Sequence, residues 1–235
     1  MTFGSREERN DEDRGHREEL PDQEDTPPKM SPLQRESEHL EAAVKCRQGD
    51  AFEEALELLV GAHRQAPGSS RVLIEIGKTF LVMAYRNKFK RETLFAAELA
   101  FHQAMEADAN SFSARFYLSD IDYRQGRIEA ALDSLRQAEA LAPNEPEVPY
   151  RRGVVLEHLQ RTEDALIEFK KAGKLSLARD SSFPFTAITA FAAALRLAPG
   201  EPELEQGYRE ARQRSTPALR PDFGKDSWPD IPGIL

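Results

Sequence analysis

The chain has 235 residues, of which 40% are hydrophobic, so it is long enough to bury a substantial core. A single cysteine, Cys46, excludes an intramolecular disulfide framework and favours a reducing compartment. The net charge of -9 argues against nucleic acid as a partner. No apolar stretch approaches the length of a membrane span, and the charged amino terminus lacks the apolar core of a signal peptide, so the sequence predicts a cytoplasmic protein without membrane insertion.

Residues 1–33 form the first predicted segment, which is an acidic and disordered tail. The first 30 residues hold ten Asp and Glu against five Lys and Arg, with almost no apolar side chains. Such a segment cannot bury enough apolar surface to offset the entropy of the chain. Two roles stay open for it, an acidic docking arm for a basic partner or a solubilising leader.

Five copies of one helical pattern follow the tail. Each copy has a small residue, then an aromatic residue or leucine four positions on, then alanine three further, and in three copies proline follows after five more. Offsets of four and seven place these residues on one face of a helix, and proline ends the helix. The copies are Ala55/Leu59/Ala62, Ala97/Phe101/Ala104, Ala131/Leu135/Ala138, Ala165/Phe169/Ala172 and Ala187/Phe191/Ala194.

A further small residue precedes each of the first four copies, namely Ala43, Gly77, Ser119 and Gly153. Small side chains there let a preceding helix pack closely on the patterned helix, which gives a two-helix hairpin. From about residue 36 to 199 these hairpins resemble the tetratricopeptide repeat (TPR), a helix-turn-helix unit of about 34 residues. The resemblance implies an all-α, right-handed helical solenoid of antiparallel hairpins, an architecture that mostly binds other proteins.

The spacing of the copies is irregular in two places. Successive copies begin 42, 34, 34 and 22 residues apart, so the second repeat carries about eight extra residues and the fifth lacks about twelve. The extra residues predict either longer helices or a protruding loop in the second hairpin. The short copy predicts that the apolar segment Phe183–Leu197 lacks its first helix. Either the charged helix 201–214 covers this segment, or the segment forms a homodimer or enzyme interface.

Several slots depart from the family pattern. Asp122 takes a slot usually given to tyrosine, and Arg152 takes an apolar slot of the fourth repeat. In the first repeat, His39 and Cys46 stand where the family prefers tryptophan and tyrosine. The first and fourth repeats are therefore predicted to be the less well packed.

After the solenoid, which spans residues 34–214, an irregular carboxyl-terminal tail is predicted for residues 215–235 because this stretch holds four prolines and little periodicity.

The chain shows no glycine-rich phosphate loop, His-x-x-x-His, Cys-x-x-Cys or nucleophile-elbow motif. The five histidines are scattered along the chain. The sequence accordingly predicts no catalytic residues, no cofactor and no metal site.

In the TPR family the first helices of the hairpins line a concave groove, and the resemblance implies partner-binding residues at the exposed slots of repeats two to four. Aromatic and arginine side chains favour such a role because they bury a large area at low entropic cost and also form hydrogen bonds. The implied residues are Arg71, Ile74, Lys78, Phe116, Tyr123, Arg124, Tyr150 and Arg151.

The insertion in the second repeat suggests another contact. Its residues Arg86, Lys88, Lys90 and Arg91 bring four positive charges together around Phe89 in an acidic chain. Two readings stay open, a contact for an acidic partner segment or for the chain's own acidic arm, and a solvated turn balanced by nearby carboxylates.

The leading functional hypothesis is a non-enzymatic adaptor or scaffold that holds a peptide or helix of a partner protein in the concave groove, with an acidic partner segment as one option. The alternative is a regulatory or substrate-recruiting subunit or domain of an enzyme whose catalytic part is elsewhere.

Overall fold

The computed structural model describes residues 31–86, 90–179 and 185–214, nearly all of them in the compact unit Pro32–Leu235. The described residues form ten α-helices and no β-strand, which confirms the predicted all-α repeat solenoid. None of the helices in these ranges is long and apolar enough to cross a membrane. The predicted tails 1–33 and 215–235 lie outside the described residues, apart from 31–33. The helices are α1 (Pro32–Gln48), α2 (Phe52–Gln65), α3 (Ser70–Arg86), α4 (Arg91–Ala107), α5 (Phe112–Arg124), α6 (Ile128–Leu141), α7 (Glu147–His158), α8 (Thr162–Ala178), α9 (Phe185–Leu197) and α10 (Pro202–Arg214).

The repeated pattern forms the core of each hairpin. Helices α1 and α2, α3 and α4, α5 and α6, and α7 and α8 pack as pairs. All fifteen patterned residues are at most 2% exposed. The small residues of the first helices are needed for this packing, because a Cβ added to Gly77 would lie 2.6 Å from the ring of Phe101, and one added to Gly153 would lie 2.7 Å from the ring of Phe169.

The insertion in the second repeat lengthens both helices of its hairpin. Helices α3 and α4 have 17 residues each, whereas both helices of the third hairpin, α5 and α6, have 13 and 14; α1 and α8 also have 17, but each is paired with a helix of 14 or 12 residues. Residues 87–89 at the turn, which include the predicted contacts Lys88 and Phe89, lie outside the described part of the chain.

The shortened fifth copy has a first helix after all, and this corrects the sequence-based prediction. Helix α8 runs for 17 residues, and Gly173 in its second half stands against Phe191 of α9, where an added Cβ would lie 2.6 Å from the ring. This contact is equivalent to the one between Gly153 and Phe169. Helix α8 therefore serves as the second helix of the fourth hairpin and as the first helix of the fifth pair.

Helix α10 covers the other side of α9. Leu204 and Ala211 are completely buried, and a Cβ on Gly207 would lie 2.5 Å from the ring of Phe191. Of the two alternatives for the segment Phe183–Leu197, its described part, Phe185–Leu197, has the covering helix. The apolar face of α9 is packed within the chain against α8 and α10, and a homodimer through this region stays a prediction.

Asp122 and Arg152, which stand where the family pattern has tyrosine and an apolar residue, both form ion pairs. The Asp122 carboxylate accepts a hydrogen bond of 2.8 Å from Nε of Arg127, whose guanidinium also pairs with Glu98. The Arg152 guanidinium pairs with Glu139 and, at 3.0 Å, with Glu168.

The odd-numbered helices lie on the inner side of the stack. Helix α1 approaches α3, α3 approaches α5, and α7 approaches α9, whereas α2, α4, α6 and α8 do not approach one another comparably; among the even-numbered helices only α8 and α10, at the carboxyl-terminal end of the described residues, do so. In a curved stack the elements on the inside are the closer ones. We call the exposed surface of α1, α3, α5, α7 and α9 the inner face.

Candidate functional site

The inner face holds a groove at its amino-terminal end, between α1 and α3. The groove has a volume of about 520 Å³. Both apolar and charged side chains line it, which suits a segment with both kinds of side chain. Two of the predicted residues, Arg71 and Ile74, line it together with Leu40, Glu41, Val44 and Lys45.

A charged cluster at the edge of this groove joins α1 to α3. Glu75 accepts hydrogen bonds of 2.7 Å from both Arg47 and Lys78, the latter a predicted binding residue. Burial alone would raise the pKa of Glu75, but the nearby charges of Lys78 and Arg47 outweigh it and hold the pKa below its ordinary value. Glu75 is therefore ionised, and we call these three residues the Glu75 cluster.

Lys78 also connects the Glu75 cluster to the next repeat. Its ammonium lies 6.0 Å from the ring centroid of Tyr117 on α5, within reach of a cation–π interaction. The Tyr117 ring stacks in turn on Phe101, with centroids 5.3 Å apart. Lys78 is thus oriented by contacts with two helices.

A second cluster joins α3, α5 and α7 around Asp120, whose side chain is 1% exposed. Tyr85 donates a hydrogen bond to Asp120, and Arg124 and Arg151 donate at 3.1 and 3.3 Å. The guanidinium of Arg124 also lies over the ring of Tyr85, 4.4 Å from its centroid. Burial and the negative charge of Asp120 raise the pKa of Tyr85 well above its usual range, so the hydroxyl stays a neutral donor. We call these four residues the Asp120 cluster.

Two predicted binding residues are buried, although the sequence placed them in exposed slots. Phe116 is 7% exposed and Arg151 is 6% exposed. The ring of Phe116 packs against Phe112 and Tyr117, with centroids 5.7 and 5.6 Å apart. Both residues lie beneath the surface of the inner face. Phe116 is in contact with rings of its own helix, and Arg151 donates to Asp120 on α5.

The two predicted tyrosines are half-buried on the inner face. The ring of Tyr123 meets His158 edge-on at 5.6 Å, and the ring of Tyr150 lies 5.8 Å from Phe169. Burial raises the pKa of each tyrosine above its ordinary value, so both hydroxyls are neutral at physiological pH. Their exposed parts lie beside the Asp120 cluster and can contact a ligand there.

Three of the predicted basic residues of the insertion, Arg86, Lys90 and Arg91, belong to the described part of the chain. Arg86 pairs with Asp50 in the turn between α1 and α2, at 3.3 Å. Lys90 and Arg91 are exposed at the start of α4. Their role as a contact for an acidic segment stays a prediction.

Tyr85 and Arg47 were absent from the predicted binding set, yet they organise the inner face. A signal for Tyr85 was present, since it follows Lys78 by seven residues and so lies on the same face of a lengthened helix. Arg47 gave no comparable signal. Among the described residues no group of three or more His, Cys, Asp or Glu is placed to hold a metal ion.

Comparison with known proteins agrees with the helical repeat fold. Residues 78–188, less than half of the chain, match a family model described as the TT21 fifth ARM repeats domain. None of the curated proteins matches the sequence.

Solved structures share the fold at low sequence identity. PilF of Pseudomonas aeruginosa has a TM-score of 0.61 at 18% identity, over 79% of this chain and 78% of PilF. The Cut9–Hcn1 hetero-tetramer of the APC/C has a TM-score of 0.56 at 16% identity, over 78% of this chain and 38% of its own. TTC0263, described as a thermophilic TPR protein of Thermus thermophilus, has a TM-score of 0.51 at 21% identity, over 76% of this chain and 99% of its own. At these identities the likeness shows the fold alone.

Proposed function

We propose that this chain, a TPR-like repeat protein, is a non-enzymatic adaptor that holds a segment of a partner protein along its inner face. The observation that carries the proposal is the fixed arrangement of that face. The Glu75 and Asp120 clusters hold Lys78 and Arg124 across α1, α3, α5 and α7 before any ligand arrives. Side chains that are already ordered lose less entropy on binding, so more of the contact energy appears as affinity.

The site combines the side chains that interfaces use most. Tyr123 and Tyr150 offer aromatic surface with polar ends, and Arg124 offers a flat guanidinium. The groove between α1 and α3 adds apolar side chains. The solved structures with this fold support a role in protein assembly in general terms. One of the structures with the same fold is a hetero-tetramer, so a fold of this type occurs within a multi-protein assembly. A reducing compartment such as the cytoplasm is part of the proposal, because Cys46 is a free thiol.

Partner capture with two matched variants of the full chain tests the proposal. The inner variant combines Lys78→Ala, Tyr123→Ala and Tyr150→Ala. The outer variant combines Phe95→Ala, Leu99→Ala and Lys174→Ala, which are exposed on α4 and α8. Proteins captured from the native source by the unmodified chain are identified by mass spectrometry, and each is then purified and its affinity measured.

We expect the inner variant to lose more than about 2 kcal/mol of binding free energy, and the outer variant less than about 0.5 kcal/mol. Helicity measured by circular dichroism should be equal in all three proteins. A partner that binds the inner variant normally and the outer variant poorly would move the site to the other face and refute the proposal.

A further inference from the structure

Positive and negative side chains are unevenly distributed between the two sets of helices. The odd-numbered helices α1 to α9 carry 11 Lys and Arg against 8 Asp and Glu, a net charge of +3. The even-numbered helices α2 to α8 carry 6 against 12, a net charge of -6. Positive charge is thus concentrated on the inner helices of a chain whose total charge is -9.

The two clusters of the inner face share one charge ratio. In the Glu75 cluster two cations, Arg47 and Lys78, surround one carboxylate. In the Asp120 cluster two guanidiniums surround one carboxylate. Each cluster carries a net charge of +1 among the described residues. Lys78 and Arg124 bring this charge to the surface, since their side chains are 27% and 17% exposed.

We infer that the inner face of α3, α5 and α7 binds an extended, acidic segment of a partner protein, with one acidic side chain directed at each cluster. This inference rests on the proposed function and adds the chemistry of the ligand. An incoming carboxylate would form charge-assisted hydrogen bonds with a cation that is already oriented, and such bonds are roughly twice as strong as neutral ones. Arg71, which also lines the groove, is 66% exposed and forms a long ion pair of 3.7 Å with Glu36, so its guanidinium can still reach an incoming carboxylate.

The distance between the clusters sets a spacing for the ligand. Lys78 belongs to the Glu75 cluster and Tyr85 to the Asp120 cluster, and they lie seven residues apart on α3. At a rise of about 1.5 Å per residue this separation is about 10 Å. An extended peptide advances about 3.3 Å per residue, so its two acidic residues should be about three positions apart. Tyr123 and Tyr150, beside the Asp120 cluster, offer contact surface for an apolar residue that follows the acidic residue bound there.

A phage-displayed library of random 12-residue peptides, selected on the full chain, is the probe for this inference. Selected peptides are synthesised, and their affinities are measured by fluorescence anisotropy at low and high salt. The test variant is Arg71→Gln with Lys78→Gln on the inner face. Its matched control is Lys171→Gln with Lys174→Gln on α8, which removes the same charge from the outer side.

The expected result is enrichment of peptides with Asp or Glu about three positions apart, whose affinity falls at least about tenfold from 0.05 to 0.5 M salt. The inner variant should weaken them by more than about fivefold and the control by less than about twofold. Peptides that need the inner face but are neutral or basic would overturn this inference and leave the proposed function intact. Equal losses in both variants would overturn both.

The chain's own acidic arm is the competing occupant. A synthetic peptide of residues 1–30, with ten acidic and five basic residues, is measured in the same assay. Binding that is weaker than that of the selected peptides supports a partner segment. Binding that is tighter, and that the inner variant abolishes, would assign the face to the arm and overturn the inference.

Discussion

The hydroxyl of Tyr85, in the last turn of α3, donates a hydrogen bond to the carboxylate of Asp120 on α5 and so joins two successive repeats. Tyr85 reaches this position because the insertion lengthens α3 beyond the 13 residues of α5. The extra residues of the second repeat therefore do more than extend one hairpin. They supply the donor and the aromatic ring around which Arg124 and Asp120 are arranged.

Replacing Tyr85 by Phe should lower the free energy of unfolding by about 1–2 kcal/mol, because Asp120 would stay buried with one donor fewer. Urea denaturation followed by circular dichroism measures this change. Tyr208→Phe is the matched control, since Tyr208 lies on α10, which belongs to neither cluster, and it should change the free energy by less than about 0.5 kcal/mol. Equal effects of the two substitutions would argue against a stabilising role of the Tyr85 bond.

The packing within each hairpin was predictable because its signal is local. Spacings such as that from Ala55 to Leu59 and Ala62 fix one face of one helix, and all these residues are buried as predicted. Contacts between repeats were less predictable, since they depend on how successive hairpins are rotated. Phe116 and Arg151 illustrate this, because slots that are exposed in an isolated hairpin are buried by the neighbouring helices.

The double role of α8 was also missed, for a different reason. The distance of 22 residues from Ala165 to Ala187 leaves no room for a separate first helix, so the spacing alone predicts that the helix is missing. Gly173 was the signal, since it offers the same close approach to Phe191 that Gly153 offers to Phe169. A helix with small residues on two faces can pack against two partners.

Substitution of Gly153 by Ala tests the close approach inside the hairpins. The added methyl group would meet the completely buried ring of Phe169 at 2.7 Å, and overpacking of this kind costs about 1–3 kcal/mol. Gly61→Ala on α2 is the control, because no atom lies within 4 Å of its added Cβ. Alanine is the better helix former there, so Gly61→Ala should stabilise the protein by about 0.5–1 kcal/mol. Opposite signs in thermal or urea denaturation are expected, and a stabilising Gly153→Ala would contradict the packing described.

Two phenylalanines that differ in burial test how α9 and α10 are packed. Phe191 is 2% exposed between Gly173 and Gly207, so Phe191→Ala should cost about 3–5 kcal/mol and reduce helicity. Phe95 on α4 is 64% exposed, and Phe95→Ala should change the free energy of unfolding by less than about 0.5 kcal/mol. Amide exchange of α9 and α10 should accelerate in the first variant alone. Unchanged exchange there would mean that Phe191 does not hold the two helices together.

Glu147, at the start of α7, provides a pH-dependent contact with α9. Its Oε1 accepts a hydrogen bond of 2.8 Å from Thr186, while its Oε2 is buried and receives no hydrogen bond from the described residues. The neighbouring Glu145 is paired with Arg179 through bonds of 2.8 and 3.0 Å. Burial, followed by the proximity of Glu145, raises the pKa of Glu147 from 4.5 to about 7.

This shift predicts that the protein loses stability as the pH rises from 4.5 to about 7. In that window the folded protein keeps the proton on Glu147 and the unfolded chain releases it, so each increase in pH favours unfolding. The contribution is complete below 4.5 and absent above about 7. The pKa of Glu145 is lowered, and its own contribution is lost only as the pH falls below its ordinary value of 4.5, outside this window. Because Glu147 is only partly buried, we expect about 1–2 kcal/mol from it.

Glu147→Gln keeps the hydrogen bond with Thr186 and cannot ionise, so it should remove this part of the pH dependence. Free energies of unfolding measured at pH 5 and pH 7.5 should differ by about 1–2 kcal/mol less in this variant than in the unmodified protein. Glu163→Gln, an exposed residue in the first turn of α8, is the control and should leave the difference unchanged. Titration of the carboxyl carbons by NMR locates the proton directly. A Glu147 carboxyl that titrates near 4.5 would refute the prediction, because its buried oxygen would then be ionised beside Glu145 without destabilising the junction of α7 and α9.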